Sequence, residues 1–113
     1  MKTAAPSRDE FMAALTAALE QIKSHNQRLF VESKLITPYE TVLNWEYGNN
    51  EPSSAWVFAD MGERDVVAQY SLGGHGARGF PWGINFRSSD SFGQDCGWYE
   101  SLEALVADWG VEA

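Results

Sequence analysis

The sequence predicts a two-layer α+β domain: an N-terminal helix, an antiparallel meander sheet of about five strands, and a C-terminal helix, both helices packed on one face of the sheet. Three observations predict it. Apolar residues recur at helical spacing near both ends of the chain. Between them, apolar and polar residues alternate with the period of two that marks a strand. The intervals between those runs are too short for helical crossovers, so neighbouring strands are expected to run antiparallel.

Of the 113 residues, 44% are hydrophobic and 13% aromatic, enough to close one core at the commonest domain size. Residues 1–113 are therefore read as one domain, with residues 1–6 expected to be flexible. Ser7 followed by Glu10 is the capping-box pattern that satisfies the orphan N–H groups of a helix start. Phe11, Leu15, Ala18 and Ile22 follow at helical spacing, widened by Met12 and Leu19, and predict a helix over 8–25 that ends at His25-Asn26-Gln27. From Leu29-Phe30-Val31 to Ile36 the pattern predicts a strand, stopped by Thr37-Pro38. Thr41, Leu43, Trp45 and Tyr47 alternate with Glu40, Val42, Asn44 and Glu46, a strand with one wet face.

Gly48-Asn49-Asn50 and Pro52-Ser53-Ser54 predict a loop. Ala55–Asp60 and Val66–Leu72 then form a hairpin around Met61-Gly62-Glu63-Arg64. After the glycine-rich stretch 73–81, Trp82, Ile84 and Phe86 mark a further strand. Residues 88–97 read as an irregular loop. Leu102, Leu105, Val106 and Trp109, at i, i+3, i+4 and i+7, predict the closing helix, ended by Gly110.

The formal net charge is −8, from 16 acidic and 8 basic residues. Residues 1–50 contribute −1 and residues 51–113 contribute −7, so the C-terminal half sets the field. Such a chain repels phosphate backbones, and direct nucleic-acid binding is not expected. No apolar run approaches the ~20 residues that span a bilayer, and no apolar signal region follows Met1. The single Cys96 forms no internal disulfide, which points to a reducing, cytoplasmic setting.

Three motifs have the residue types of known chemistry, and each also has a plainer origin. Gly74-His75-Gly76-Ala77-Arg78-Gly79 fits the spacing G-x-G-x-x-G, but a strand follows it, so no helix N-terminus is available for a pyrophosphate. Gly79 is followed by Phe80-Pro81, which also breaks the Walker pattern. The stretch could instead form an anion- or ligand-binding loop with Gly74, His75, Gly76 and Arg78 supplying donors. The plainer reading is a long turn. Gln94-Asp95-Cys96-Gly97-Trp98 resembles the segment around the catalytic cysteine of papain-like proteases over five residues, but no histidine lies downstream. Cys96 is therefore read as an incidental thiol. His25, His75 and Cys96 lack paired ligand spacing, and Asp90 and Asp95 lack calcium-loop spacing. No metal or cofactor is expected.

Five tryptophans stand out. Trp45, Trp56 and Trp82 fall on strand alternation and Trp109 on the helix stripe, as core residues would. Trp98 and Tyr99 lie outside both periodicities, and Phe80 and Phe92 lie in loops. Exposed aromatics beside acids are the raw material of a protein-binding hot spot. Asp60, Glu63 and Asp65 cluster at the hairpin tip, and Glu100, Glu103 and Asp108 surround the last helix. The expected function is a non-enzymatic, acidic protein-binding module. Its most specific form is an inhibitor of a basic, nucleic-acid-handling protein, in the manner of an immunity protein, an antitoxin or a phage antagonist. Two alternatives stand beside it: a ligand-binding or enzymatic domain using the Gly73–Gly79 loop with His75 and Arg78, and a structural homodimer joined along a sheet edge.

Overall fold

The computed structural model describes residues 6–45, 51–62, 65–72, 79–87, 91–92 and 97–111. Among the sequence-predicted features, Glu63, Gly74, His75, Gly76, Arg78, Cys96 and Tyr47 lie outside the described residues, as do the side chains of Trp45 and Phe92.

Helix α1 (Arg8–Gln21) starts as the capping box requires. The Glu10 amide donates to Ser7 Oγ at 3.1 Å, and the Ser7 amide donates to Glu10 Oε1 at 2.9 Å. The bonds from Ser7 hold the Glu10 carboxyl below the ordinary carboxylate range. The helix is shorter than predicted. At Ile22 the backbone turns extended, with φ −73° and ψ 113°, and the Ile22 side chain becomes fully buried. Ser24 then caps α2 (His25–Lys34), its Oγ accepting from the Gln27 amide at 3.2 Å.

His25-Asn26-Gln27 therefore open a helix where the sequence predicted an end, and the strand predicted from Leu29 is helical as far as Lys34. The apolar run Leu29-Phe30-Val31 carries no period of its own. Ser24 is a strong N-cap, and a helix buries Gln27 and Val31 four residues apart while leaving Leu29 48% exposed.

The strands are β1 (Leu35–Trp45), β2 (Glu51–Asp60), β3 (Val66–Tyr70), β4 (Trp82–Phe86), β5 (Ser91–Phe92) and β6 (Gly97–Tyr99), followed by α3 (Leu102–Trp109). Pro38 does not stop β1. It sits in an irregular stretch between Leu35 and Tyr39 where the register to β2 shifts, and such a stretch tolerates a missing N–H. The predicted loop Pro52-Ser53-Ser54 belongs to β2, where these residues pair with Asn44, Leu43 and Val42.

The sheet order is β5-β1-β2-β3-β4-β6. Strands β1, β2, β3, β4 and β6 form a five-stranded antiparallel set, as many strands as predicted though β6 replaces the one expected at 29–36, and β5 adds parallel to β1 through Asn44–Ser91 and Trp45–Phe92. Both β5 and β6 begin inside the stretch predicted to be irregular. Two and three residues are too few to show alternation.

Trp56, Tyr70, Trp82 and Tyr99 are successive neighbours across β2, β3, β4 and β6. This row faces the helices. Phe11 of α1 stacks on Trp56 with ring centroids 5.5 Å apart and planes 8° from parallel, and reaches Phe58 at 5.8 Å and Tyr70 at 5.7 Å. Phe58 meets Trp82 edge-on at 5.6 Å. Leu15, Ala18 and Ile22 of the α1 segment, Val31 of α2, and Leu102, Leu105 and Val106 of α3 join the same core, so the helices share one face. Trp56 Nε1 donates to the Pro6 carbonyl at 3.0 Å, which satisfies the polar end of a buried indole.

Two bonds join the helices across most of the sequence. The Lys23 amide donates to Glu103 Oε2 at 2.9 Å, and Gln27 Nε2 donates to the Val111 carbonyl at 2.8 Å. Gly110 ends α3 in the left-handed region at φ 104°, as predicted.

The next row across the sheet, Val57, Gln69, Gly83 and Trp98, faces away from the helices. Trp98 packs with Leu43 and Ala55 there. Its indole lies against Gly83, where a Cβ would come within 2.5 Å of the ring. Among the described residues, no helix is long and apolar enough to cross a membrane.

Candidate functional site

Burial falls along β4. Trp82 is covered by the aromatic core, Ile84 is half-buried, and Phe86, on the same face, is 48% exposed. Between Phe86 and the C-terminal end of α3 at Trp109 the two layers leave a gap. The gap is a cleft of about 280 Å³, lined by Val66 of β3, Ile84, Asn85 and Phe86 of β4, Gly97 and Tyr99 of β6, and Asp108 and Trp109 of α3. A site of that size is slightly below the ~300–1,000 Å³ of small-molecule pockets. Its floor is apolar and aromatic.

Two polar groups line the cleft: Asn85, whose Oδ1 accepts from the Phe86 amide at 2.8 Å, and a hydrogen-bonded pair on the side of α3. Tyr99 Oη donates to Asp108 Oδ2 at 2.5 Å. Burial first, and then the bond to Asp108 and its charge, push the Tyr99 phenol up to about 12. It is a fixed neutral donor at ordinary pH. The partner carboxylate is exposed and sits in the last turn of α3, which carries no basic residue. The helix dipole is negative at that end, so an acid there costs typically ~0.3–1 kcal/mol of helix stability. The Tyr99 bond offsets part of this. The mouth of the cleft is thus more negative than one carboxylate alone would make it.

The two other acids of the described hairpin tip lie at the same end of the sheet. Asp60 pairs in register with Val67, and Asp65 directly precedes Val66, which pairs with Phe86. Asp60 is already engaged: its Oδ1 accepts from the Gly62 amide at 2.9 Å, and its Oδ2 pairs with Arg87 at 3.2 Å. Both side chains of that pair are about half exposed, so its net contribution is small. The Asp65 carbonyl accepts from the Arg87 amide at 2.6 Å.

The remaining sequence-predicted residues are dispersed. Glu100 is exposed, whereas Glu103 is occupied with the Lys23 amide. Trp98 and Tyr99 are half-buried strand residues whose side chains take opposite faces, so they do not form one exposed aromatic surface. Alternation on β6 separates them. Of the predicted partner-binding residues, the structure brings together Tyr99 and Asp108, with Asp60 and Asp65 at the same sheet end.

Sequence reasoning missed Phe86 and Val66 as lining residues; Trp109 packs partly buried against the core, as its helical spacing predicted, and also borders the cleft. The alternation of Trp82, Ile84 and Phe86 correctly placed them on one face, but nothing in it indicated where the helical layer stops. Among the described residues, no group of three or more potential metal ligands gathers. The chain matches no protein-family model, no curated protein and no solved structure.

Proposed function

We propose that this chain is a non-enzymatic, acidic protein-binding module, and more specifically an inhibitor of a basic, nucleic-acid-handling protein. One observation carries the reading. An exposed carboxylate, Asp108, is held by the Tyr99 phenol at the mouth of an aromatic cleft whose sheet end also carries Asp60 and Asp65. Apolar floor and fixed acid, on a chain of net charge −8, form the combination that a basic partner recognises.

The physics divides the work. A net charge of −8 draws a cationic surface toward the chain over roughly a Debye length, about 8–10 Å in physiological salt, and accelerates encounter. Half-buried aromatic rings then supply the desolvated contact that holds the complex, because rings bury large area at small entropic cost. A basic groove filled in this way is closed to nucleic acid.

The test is affinity capture from the source cells with the whole chain, followed by association kinetics of the captured protein. The expected partner is basic, and its association slows steeply as salt is raised. Reversal of Asp65, Glu100 and Asp108 to Lys abolishes binding, and the captured protein's nucleic-acid binding or cleavage is suppressed by the parent chain alone. An acidic partner, or association indifferent to salt and to the reversals, overturns the reading.

A further inference from the structure

We propose that the cleft between α3 and the sheet end receives an arginine side chain of the partner protein, its guanidinium on Asp108 and its stem against Phe86, Ile84 and Trp109. The inference rests on the protein-binding reading above and specifies what the partner must present.

The occupant follows from the walls. Apolar and aromatic surface covers the floor, so the stem of the guest is hydrophobic. The charged group among the lining residues is the Asp108 carboxylate, while the Asn85 amide oxygen is engaged by the Phe86 N–H, so the head of the guest is a cation. A carboxylate offers about four lone-pair positions over its two oxygens. Tyr99 fills one on Oδ2, and Asp108 makes no other hydrogen bond among the described residues. Among the described residues nothing else occupies Oδ1 or a second position on Oδ2, and a planar fork can bind both oxygens.

Guanidinium is favoured over ammonium for two further reasons. It is less strongly hydrated, and it stacks on ring faces, of which Phe86 is half open to solvent. At about 280 Å³ the cleft is also too small for a bulky ligand.

Tyr99 is the positioning residue. By donating to Oδ2 it fixes the carboxylate before the guest arrives, so less rotamer freedom is lost on binding. The acid at a helix C-terminus, unfavourable for α3 itself, becomes favourable once a cation sits on it.

The test is an NMR titration of the intact chain with ethylguanidinium, set against propylammonium and the neutral isostere N-ethylurea. Ethylguanidinium is expected to shift the amides of Val66, Ile84, Gly97 and Tyr99 and the Trp109 indole N–H, saturating in the millimolar range. Propylammonium binds more weakly, and N-ethylurea leaves these signals in place. Asp108→Asn weakens ethylguanidinium about tenfold, as loss of a charge-assisted pair would. Tyr99→Phe, which leaves the carboxylate but not its tether, weakens it by less.

Equal shifts from N-ethylurea, or an undiminished response in a folded Asp108→Asn variant, overturn the assignment. So does an ethylguanidinium response confined to other residues. If the cleft fails in this way while salt-dependent association with a basic protein persists, the arginine site falls and the binding module stands. If ethylguanidinium binds as described and no protein partner associates, the site stands as a guanidinium pocket and the partner falls.

Discussion

The Phe11 ring lies parallel to the Trp56 indole, 5.5 Å away, and this one stack joins the first helix to the centre of the sheet. Phe11 is fully buried and also touches Phe58 and Tyr70, so its removal leaves a cavity that three rings cannot close without leaving their rotamers. Phe11→Ala is expected to cost about 3–5 kcal/mol, a large share of the 5–15 kcal/mol typical of a domain. Urea denaturation gives the loss, and near-UV circular dichroism shows the aromatic row losing its fixed geometry. A loss below ~1 kcal/mol would contradict this packing.

Gly83 is required by Trp98. A Cβ at Gly83 would approach the Trp98 ring atoms to 2.5–2.6 Å, closer than any real methyl sits. Gly83→Ala must therefore push the indole off the sheet or distort β4, at a cost of about 1–3 kcal/mol. The Trp98 indole N–H resonance is expected to move toward its solvent-exposed position, with a lowered melting temperature. An unmoved resonance would show that the ring does not lie over Gly83.

Tyr99 titrates late. Its phenol rises to about 12 in the folded chain against about 10 when unfolded. The folded state therefore holds the proton more tightly. Its contribution is complete below pH ~10 and is lost as pH rises through ~12, where folded and unfolded chains are both deprotonated. Ultraviolet absorbance titration should show a tyrosine ionising near the end of the curve. Asp108→Asn should bring it down, though not to the unfolded value, because burial is the larger cause. A Tyr99 phenol that ionises with solvent tyrosine would deny the bond to Asp108.

The elbow between α1 and α2 depends on a residue 80 positions away. Glu103→Ala removes the acceptor of the Lys23 amide and is expected to cost about 1 kcal/mol. Hydrogen exchange at Lys23 should accelerate while the middle of α1 keeps its protection. An unchanged Lys23 rate would mean that Glu103 is spent on solvent.

Much of the architecture was legible in the sequence because local chemistry and tertiary demand agree there. Ser7 and Glu10 cap the helix that Phe11 and Leu15 then bury, and Gly110 adopts the left-handed conformation that ends the last helix. The miss at 25–36 has a different origin. Leu29-Phe30-Val31 satisfies either period, and the decision lay in the Ser24 cap and in Gln27, a polar residue buried because it reaches the Val111 carbonyl. That acceptor is 84 residues away, outside any local window.

The site was legible only in pieces. Tyr99 and Asp108 were singled out as separate surface groups, with nothing to say that they bond. Which acid meets which ring depends on strand register and on where α3 ends. Glu103 was singled out for its charge alone, and nothing local to it shows that one oxygen also accepts from the Lys23 amide.

The bonds from Lys23 to Glu103 and from Gln27 to Val111 have a consequence for how this molecule is made. The helical layer has no keystone until α3 is synthesised, because its elbow is latched by Glu103 and Val111, 80 and 84 residues further along. During translation the aromatic row must wait, with Leu102, Leu105 and Val106 still to come, and stays open to misassociation. Once α3 arrives, segments far apart in sequence lock together, and α3 is bound into the same cooperative unit as α1.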